Sequence, residues 1–228
     1  MNLMLTWLAA IATVAILVLY EISFAWAERR SPDRVARTAH AALRAEWFLA
    51  LSAQNGSEVL GVQTLRNSLM SATMVASTAA LGLIGTVTIS ASTLHGSFES
   101  GSTTVRELTP RLGLELVLLA LLFASLVSSV MAVRFYTHAG FIVGMPVGSS
   151  ERLRWQAVGI KYVRRAGILY SWALRHLVTI APVLASMLHP IAGPVAALVI
   201  VAVLRHFDRV GAHAAPSGPA GEIVPSKE

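Results

Sequence analysis

The chain has 228 residues, of which 55% are hydrophobic, only 13% are charged and none is cysteine. Soluble domains carry about 25% charged residues, and a domain of this length cannot bury so much apolar surface in one core. The composition therefore excludes an ordinary soluble domain, and the lack of cysteine excludes disulfides, thiolate metal sites and a cysteine nucleophile. The net charge of +6 lies in the connections between apolar runs, so we expect no nucleic-acid binding.

The first apolar run predicts a membrane helix over about residues 3–26. It is uncharged as far as Glu21, and about 20 apolar residues at about 1.5 Å per residue match a hydrocarbon core of about 30 Å. A cleaved signal peptide is the alternative, because Ala25-Trp26-Ala27 resembles a cleavage site. Such a peptide begins with positive charge and has a shorter apolar stretch, so an uncleaved span is favoured.

The polar connection at 27–66 predicts an amphipathic helix that lies on the membrane surface or against the bundle. Ser31-Pro32-Asp33 is typical of a helix start, and Asn55-Gly56 predicts a turn. Between them, arginines recur on one side of the predicted helix, at Arg34, Arg37 and Arg44. Apolar residues recur on another side, at Leu43, Trp47 and Leu51. Residues 134–167 predict a second interfacial helix, which begins near Ser149.

Two central spans are predicted at about 67–91 and 114–133, and both carry small residues at fourfold spacing. Such stripes let helix backbones approach closely in lipid. A small-residue wall that lines a pore or cofactor cavity is the less favoured interpretation. The predicted packing positions are Thr78, Gly82, Thr86 and Ser90 in the first span, and Ala124, Ser128 and Ala132 in the second.

The last apolar region is too long for one untilted crossing, and three prolines interrupt it. A hairpin with helices at 168–187 and 195–207 is narrowly preferred to a single kinked span. The predicted fold is therefore all-α: a polytopic transmembrane helical bundle with four to five membrane helices and two interfacial amphipathic helices. It forms a single transmembrane domain over 1–210, followed by a flexible polar tail at 211–228.

The distribution of Lys and Arg predicts the orientation. Residues 27–66 hold six and residues 134–175 hold seven, whereas residues 93–115 hold two. Cytoplasmic connections carry the excess of positive charge, so the connections at 27–66 and 134–167 should be cytoplasmic and the N-terminus outside. Anionic lipid headgroups are the expected partners of these basic connections.

Three segments resemble the domain of unknown function 599 family, which comprises multi-pass membrane proteins of bacteria and plants. The most specific is the Gln-Thr-Leu-Arg-Asn-Ser stretch that opens residues 63–73. Arg134-Phe135-Tyr136-Thr137-His138 and the Leu174-Arg175, Pro182 and Gly193-Pro194 series are similar to two further family signatures. The resemblance spans about 60–208, although the aromatics common around the family's C-terminal prolines are largely absent. It implies a membrane bundle and no particular activity. The expected location is a bacterial inner membrane.

The candidate polar site residues lie at span ends or inside apolar runs. Arg66 with its neighbours can form an anion or headgroup site, or merely a helix cap and an interfacial arginine. Arg175 lies inside an apolar run, where ionisable groups usually pair, and Glu21 is its possible partner. A structural ion pair and a proton or ligand site are equally open. The full candidate set is Gln63, Arg66, Asn67, Arg134, His138, Arg175 and His176.

No motif predicts catalysis, and no cofactor is expected. The seven histidines show no His-x-x-x-His spacing, and no carboxylate is expected inside a span to complete a metal site. The leading hypothesis is a non-catalytic, self-associating bundle or an accessory subunit of a membrane complex. A small-solute or ion transporter that uses the broken C-terminal helices and Arg175 is the alternative. A lipid- or haem-handling protein is the third.

Overall fold

The computed structural model describes residues 3–30, 36–99 and 109–210. Within these ranges the protein is built from helices and contains no strand, which confirms the all-α prediction. The six helices are α1 (Leu3–Arg30), α2 (Ala36–Ala53), α3 (Glu58–Glu99), α4 (Pro110–Val143), α5 (Ser150–Leu188) and α6 (Ala192–Val210). The predicted tail at 211–228 and the predicted helix start at Ser31 lie outside the described residues.

Four of these helices are long and apolar enough to cross a membrane, namely α1, α3, α4 and α5. The fold is thus a polytopic transmembrane helical bundle. In α6 the charged residues Arg205, Asp208 and Arg209 follow an apolar first half. This helix therefore has one end suited to lipid and one end suited to a polar environment.

Several helices run further than the predicted spans. α5 joins the expected interfacial segment 150–167 to the expected membrane segment 168–187 in one helix of 39 residues. Ser149 caps this helix at the predicted place, since its side chain accepts a hydrogen bond from the Arg152 amide at 3.2 Å. No residue between the two segments breaks the backbone, so the change from basic to apolar composition does not end the helix. Of the two predicted interfacial helices, α2 is a separate helix, whereas the second is the first part of α5.

The C-terminal apolar region folds as a helix pair. α5 ends at Leu188, and a short turn at His189–Ile191 leads into α6. Because a short turn joins the two helices and Arg175 forms an ion pair with Asp208, they run antiparallel. Gly193 allows their close approach, because a Cβ there would collide with Ser186 of α5 and Thr13 of α1. Pro182 is buried inside α5 and does not end it.

The buried side chains form two hydrophobic cores, and α4 and α5 contribute to both. One core joins α2 and α3 to the C-terminal half of α4 and the N-terminal half of α5. It contains Phe48, Leu51, Leu65, Ala72, Tyr136, Val143 and Val163. The other joins α1 and α6 to the remaining halves of the same two helices, and it contains Ala10, Leu17, Leu118, Leu122, Ile180, Val183 and Val201. The α4–α5 pair is therefore the centre of the bundle.

Candidate functional site

A charged network lies where α1, α5 and α6 meet, and Arg175 is its centre. The Arg175 side chain is only 5% exposed. Its Nε donates to Glu21 Oε1 at 3.0 Å, and its Nη2 donates to Asp208 Oδ2 at 2.8 Å. Nη2 also donates to the Tyr20 hydroxyl, which in turn donates to Asp208 Oδ2 at 2.6 Å. The ion pair with Glu21 that the sequence suggested is therefore present, and Asp208 and Tyr20 complete it.

A second buried arginine, Arg37 of α2, lies beside this network. Its Nη1 donates to Glu28 at 3.3 Å. Its guanidinium carbon lies 4.5 Å from the ring centroid of Phe24 and 4.3 Å from that of Trp172. Phe24 also contacts Arg175, at 4.0 Å, so one ring contacts both cations. Burial lowers the pKa of Arg37 and the Glu28 carboxylate opposes this effect, yet a guanidinium stays protonated.

The network connects α1 and α2 to α5 and α6, two helix pairs that are distant in sequence. Each strong charge has an opposite charge or an aromatic face beside it, which offsets the cost of removing it from water. Among the described residues, Glu21 Oε2 and the Nε and Nη2 atoms of Arg37 are buried without a hydrogen-bond partner. The paired groups join α1, α2, α5 and α6, and these three buried atoms are left without a partner within the described residues.

Arg152 forms a different kind of junction at the start of α5. It is 2% exposed, and it pairs with no carboxylate in the described part of the chain. Instead, Nη1 donates to the carbonyl oxygens of Val143 at 3.0 Å and Met145 at 2.6 Å, and Nη2 lies 3.5 Å from the Leu51 carbonyl oxygen. These carbonyls lie at the C-terminal ends of α4 and α2, where unpaired oxygens and the helix dipole favour a cation.

One buried carboxylate lies inside a membrane helix, contrary to the expectation that none does. Glu115 in the second turn of α4 is 3% exposed and pairs with Arg111 at 3.2 Å. Within residues 3–30, 36–99 and 109–210, no group of three or more His, Cys, Asp or Glu side chains lies close enough to hold a metal ion. Glu115 was missed because it lies near the predicted start of its span.

Five of the other predicted polar residues lie apart from the Arg175 network, and His176 lies beside it. Gln63, Arg66 and Asn67 are exposed on α3, and since that helix begins at Glu58, Asn67 is not a helix cap. Arg134 and His138 are exposed on α4, where the His138 ring lies 5.8 Å from that of Tyr162. His176 is adjacent to Arg175 and stacks on Trp172 at 5.5 Å. The candidate set thus divides into an internal group and an external group.

The small-residue stripes face the interior for most of their length. In α3, Ser90 is buried, Gly82 and Thr86 are half-buried, and Thr78 is exposed. A Cβ at Gly82 would lie 2.7 Å from Leu122 of α4, so this glycine allows close packing within the chain. In α4, Ala132 is buried and Ala124 and Ser128 are half-buried.

The fully buried serines of α4 are Ser125 and Ser129, one position away from Ala124 and Ser128. Ser125 Oγ donates to the Ala173 carbonyl oxygen of α5 at 2.9 Å. Hydroxyl donors of this kind join helices in lipid. Ala124 and Ser128 therefore lie one position away from the buried serines, whereas Ala132 of the same stripe is itself buried.

Two cavities lie on either side of Arg44 of α2, each with a volume of about 300 Å³. The polar cavity lies among α2, α5 and α6, and its walls include His40, Ser171, Arg175 and Asp208. The apolar cavity lies among α2, α3, α4 and α5. Its walls include Leu43, Trp47, Leu65, Tyr136 and Val163.

Four helices that are long and apolar enough to cross a membrane define a multi-pass helical membrane protein. The family model described as a protein of unknown function, DUF599, matches residues 8–212. The chain therefore belongs to this family, and the match extends over α1, which the resemblance seen in the sequence did not include. No curated protein and no solved structure matches the chain.

Proposed function

We propose that this protein is a non-catalytic membrane component that self-associates through the outer face of α3. The observation that carries the proposal is the composition of that face. Eight residues at alternating spacings of four and three are all exposed and uncharged; we name them the outer seam. They are Gln63, Asn67, Met70, Met74, Ser77, Leu81, Ile84 and Thr88.

The outer seam lies opposite the surface that α3 packs on α4. The inward positions include Leu65, Ala72 and Ala79, which are at most 4% exposed, whereas Met74 and Leu81 on the outside are 71% and 70% exposed. A face in contact only with lipid needs nothing except apolar side chains. Asn and Gln side chains are costly there unless they form hydrogen bonds, and Ser and Thr commonly lie at helix contacts in membranes.

A second copy of this chain is the occupant that the seam fits. Copies that share one membrane orientation place their α3 helices parallel, so each seam residue lies opposite its own counterpart in a twofold pair. Such a pair tolerates no charge on the seam, and the seam has none. Asn67 can bond to Asn67 of the other copy, and a spacing of 3.5 residues suits a left-handed crossing.

The charged network supports a structural role over transport. A solute site needs Arg175 to be available, whereas its donors are directed at Glu21, Asp208 and Tyr20. The transporter considered from the sequence is therefore less well supported by this geometry. Self-association requires no free group at Arg175.

Cysteine cross-linking in native membranes tests the proposal, because the chain contains no cysteine. Ser77→Cys on the outer seam should give a disulfide-linked dimer on oxidation. Val87→Cys is the matched control, since Val87 is exposed on the same helix but lies off the seam. Equal cross-linking at both positions, or none at Ser77, would contradict the seam. A cross-linked product that contains a different protein would contradict self-association and indicate a heteromeric complex.

The strength of the seam can be measured separately with Asn67→Leu. Interhelical hydrogen bonds in membranes contribute about 0.6–2 kcal/mol, so the dimer dissociation constant should rise about 3- to 30-fold. Thr73→Leu, an exposed α3 residue off the seam, is the control and should leave the constant unchanged. Förster transfer between labelled copies in lipid vesicles gives both values, and an unchanged constant for Asn67→Leu would exclude Asn67 from the contact.

A further inference from the structure

Arg44, one of the two arginines of α2, is the one that has no counter-charge within the described residues. It is half-buried, and among the described residues it forms no ion pair. Its hydrogen bond runs from Nη1 to the His40 carbonyl oxygen, one turn earlier, at 3.3 Å. Arg37 on the same helix, by comparison, has Glu28 and two aromatic rings.

The backbone of α5 is shaped to admit this guanidinium. A Cβ at Gly167 would collide with Nη1 of Arg44 and would lie 2.5 Å from Cζ and 2.7 Å from Nε. With glycine at this position, the planar group can lie against the helix without moving. The Arg44 guanidinium thus lies against α5, and most of its N–H donors remain available.

The two cavities beside Arg44 differ in character. The polar cavity carries further hydrogen-bonding side chains, among them Ser171, Tyr170 and His40. One carboxylate, Asp208, also lines it, but this group already accepts hydrogen bonds from Arg175 and Tyr20. The apolar cavity is walled mainly by hydrocarbon and aromatic side chains, including Leu43, Trp47 and Val163.

We infer that Arg44 binds the phosphate of a membrane glycerophospholipid, with the headgroup in the polar cavity and part of an acyl chain in the apolar cavity. Arginine presents several N–H donors in a planar fork that matches phosphate oxygens. A cation without a partner in a membrane bundle is costly, and a phosphate would remove that cost. The juxtaposition of a polar cavity, a cation and an apolar cavity follows the order of groups in such a lipid.

The test uses the full chain, stripped of lipid in mild detergent and titrated while native mass spectrometry counts bound molecules. Dioleoyl phosphatidylglycerol and dioleoyl phosphatidylethanolamine should each give one saturable adduct. Dioleoylglycerol, which has the same chains without phosphate, should bind much more weakly. Glycerol 3-phosphate and inorganic phosphate are titrated in the same way, because the bound phosphate could instead belong to a soluble molecule. If either one binds as tightly as the lipids, the assignment of a lipid is wrong.

Arg44→Gln should weaken phospholipid binding about tenfold, which is the loss expected for one charge-assisted contact. Arg134→Gln, which removes an exposed arginine from α4, is the matched control and should bind like the unmodified protein. If Arg44→Gln does not fold, Arg44→Lys decides, because it keeps the charge but loses the planar fork. Binding unchanged in the folded Arg44 variant, or equal binding of dioleoylglycerol, would overturn the proposal.

Discussion

Arg175 and Arg152 are both buried, yet the protein neutralises them in different ways. Arg175 pairs with two carboxylates, Glu21 and Asp208, which come from α1 and α6. Arg152 pairs with backbone carbonyl oxygens at the ends of α2 and α4. One junction therefore depends on opposite formal charges and the other on helix-end dipoles. The difference teaches that a buried cation in a helical bundle does not imply a buried anion or a ligand.

The largest expected effect comes from removing the charge at Arg175. Arg175→Met leaves Glu21 and Asp208 facing each other without their cation. Removal of one partner from a buried ion pair costs about 3–5 kcal/mol. Because these carboxylates remain 26% and 22% exposed and can be hydrated, we expect a loss near the lower value, about 3 kcal/mol. Thermal unfolding in detergent measures it.

The comparison predicts a specific rescue at this junction. Adding Glu21→Gln and Asp208→Asn to Arg175→Met should recover part of the lost stability, because no unpaired charge then remains. A triple variant that is less stable than Arg175→Met alone would show that the carboxylates stabilise the fold through other contacts. Glu151→Gln, an exposed carboxylate on α5, is the control and should recover nothing.

The second effect is that of Arg152→Met. This change leaves helix-end carbonyl oxygens without their donor, and one unsatisfied buried group costs about 1–3 kcal/mol. We expect a loss of about 2 kcal/mol, and no carboxylate substitution should rescue it. Arg154→Met, which removes an exposed arginine on the same turn, should leave the melting temperature unchanged. If replacing a carboxylate with its amide restored the stability of Arg152→Met, Arg152 would depend on a carboxylate as Arg175 does, which would contradict the difference between the two junctions.

The smallest effect concerns the packing that accompanies the Arg152 junction. A Cβ at Gly159 of α5 would collide with the Phe48 ring of α2. Gly159→Ala should therefore lower the unfolding free energy by about 1 kcal/mol, the lower limit for overpacking a core. Gly140→Ala is the matched control, because nothing lies within 4 Å of its added Cβ. If the two variants are equally stable, the close packing of Gly159 on Phe48 does not contribute to stability, and Arg152 alone stabilises the contact between α2 and α5.

Much of the architecture was predictable from residue order. Apolar runs long enough to span lipid, the Ser149 helix cap and the turn near Pro190 all follow from local rules. Glu21 was a predictable partner for Arg175, because an arginine inside an apolar run requires compensation. The join between residues 150–167 and 168–187 was not predicted, because a change in composition is not a helix-breaking signal.

The sequence alone determined that this protein is a helical membrane bundle with basic connections, since composition and run length depend on no tertiary contact. Only the tertiary structure decided that Asp208 and Tyr20 complete the Arg175 junction, that Arg152 binds carbonyl oxygens, and that Arg44 lies between two cavities. Periodicity shows which residues share a helix face but not which helix that face meets. Contacts between helices depend on how whole helices pack, and residue order does not state that directly.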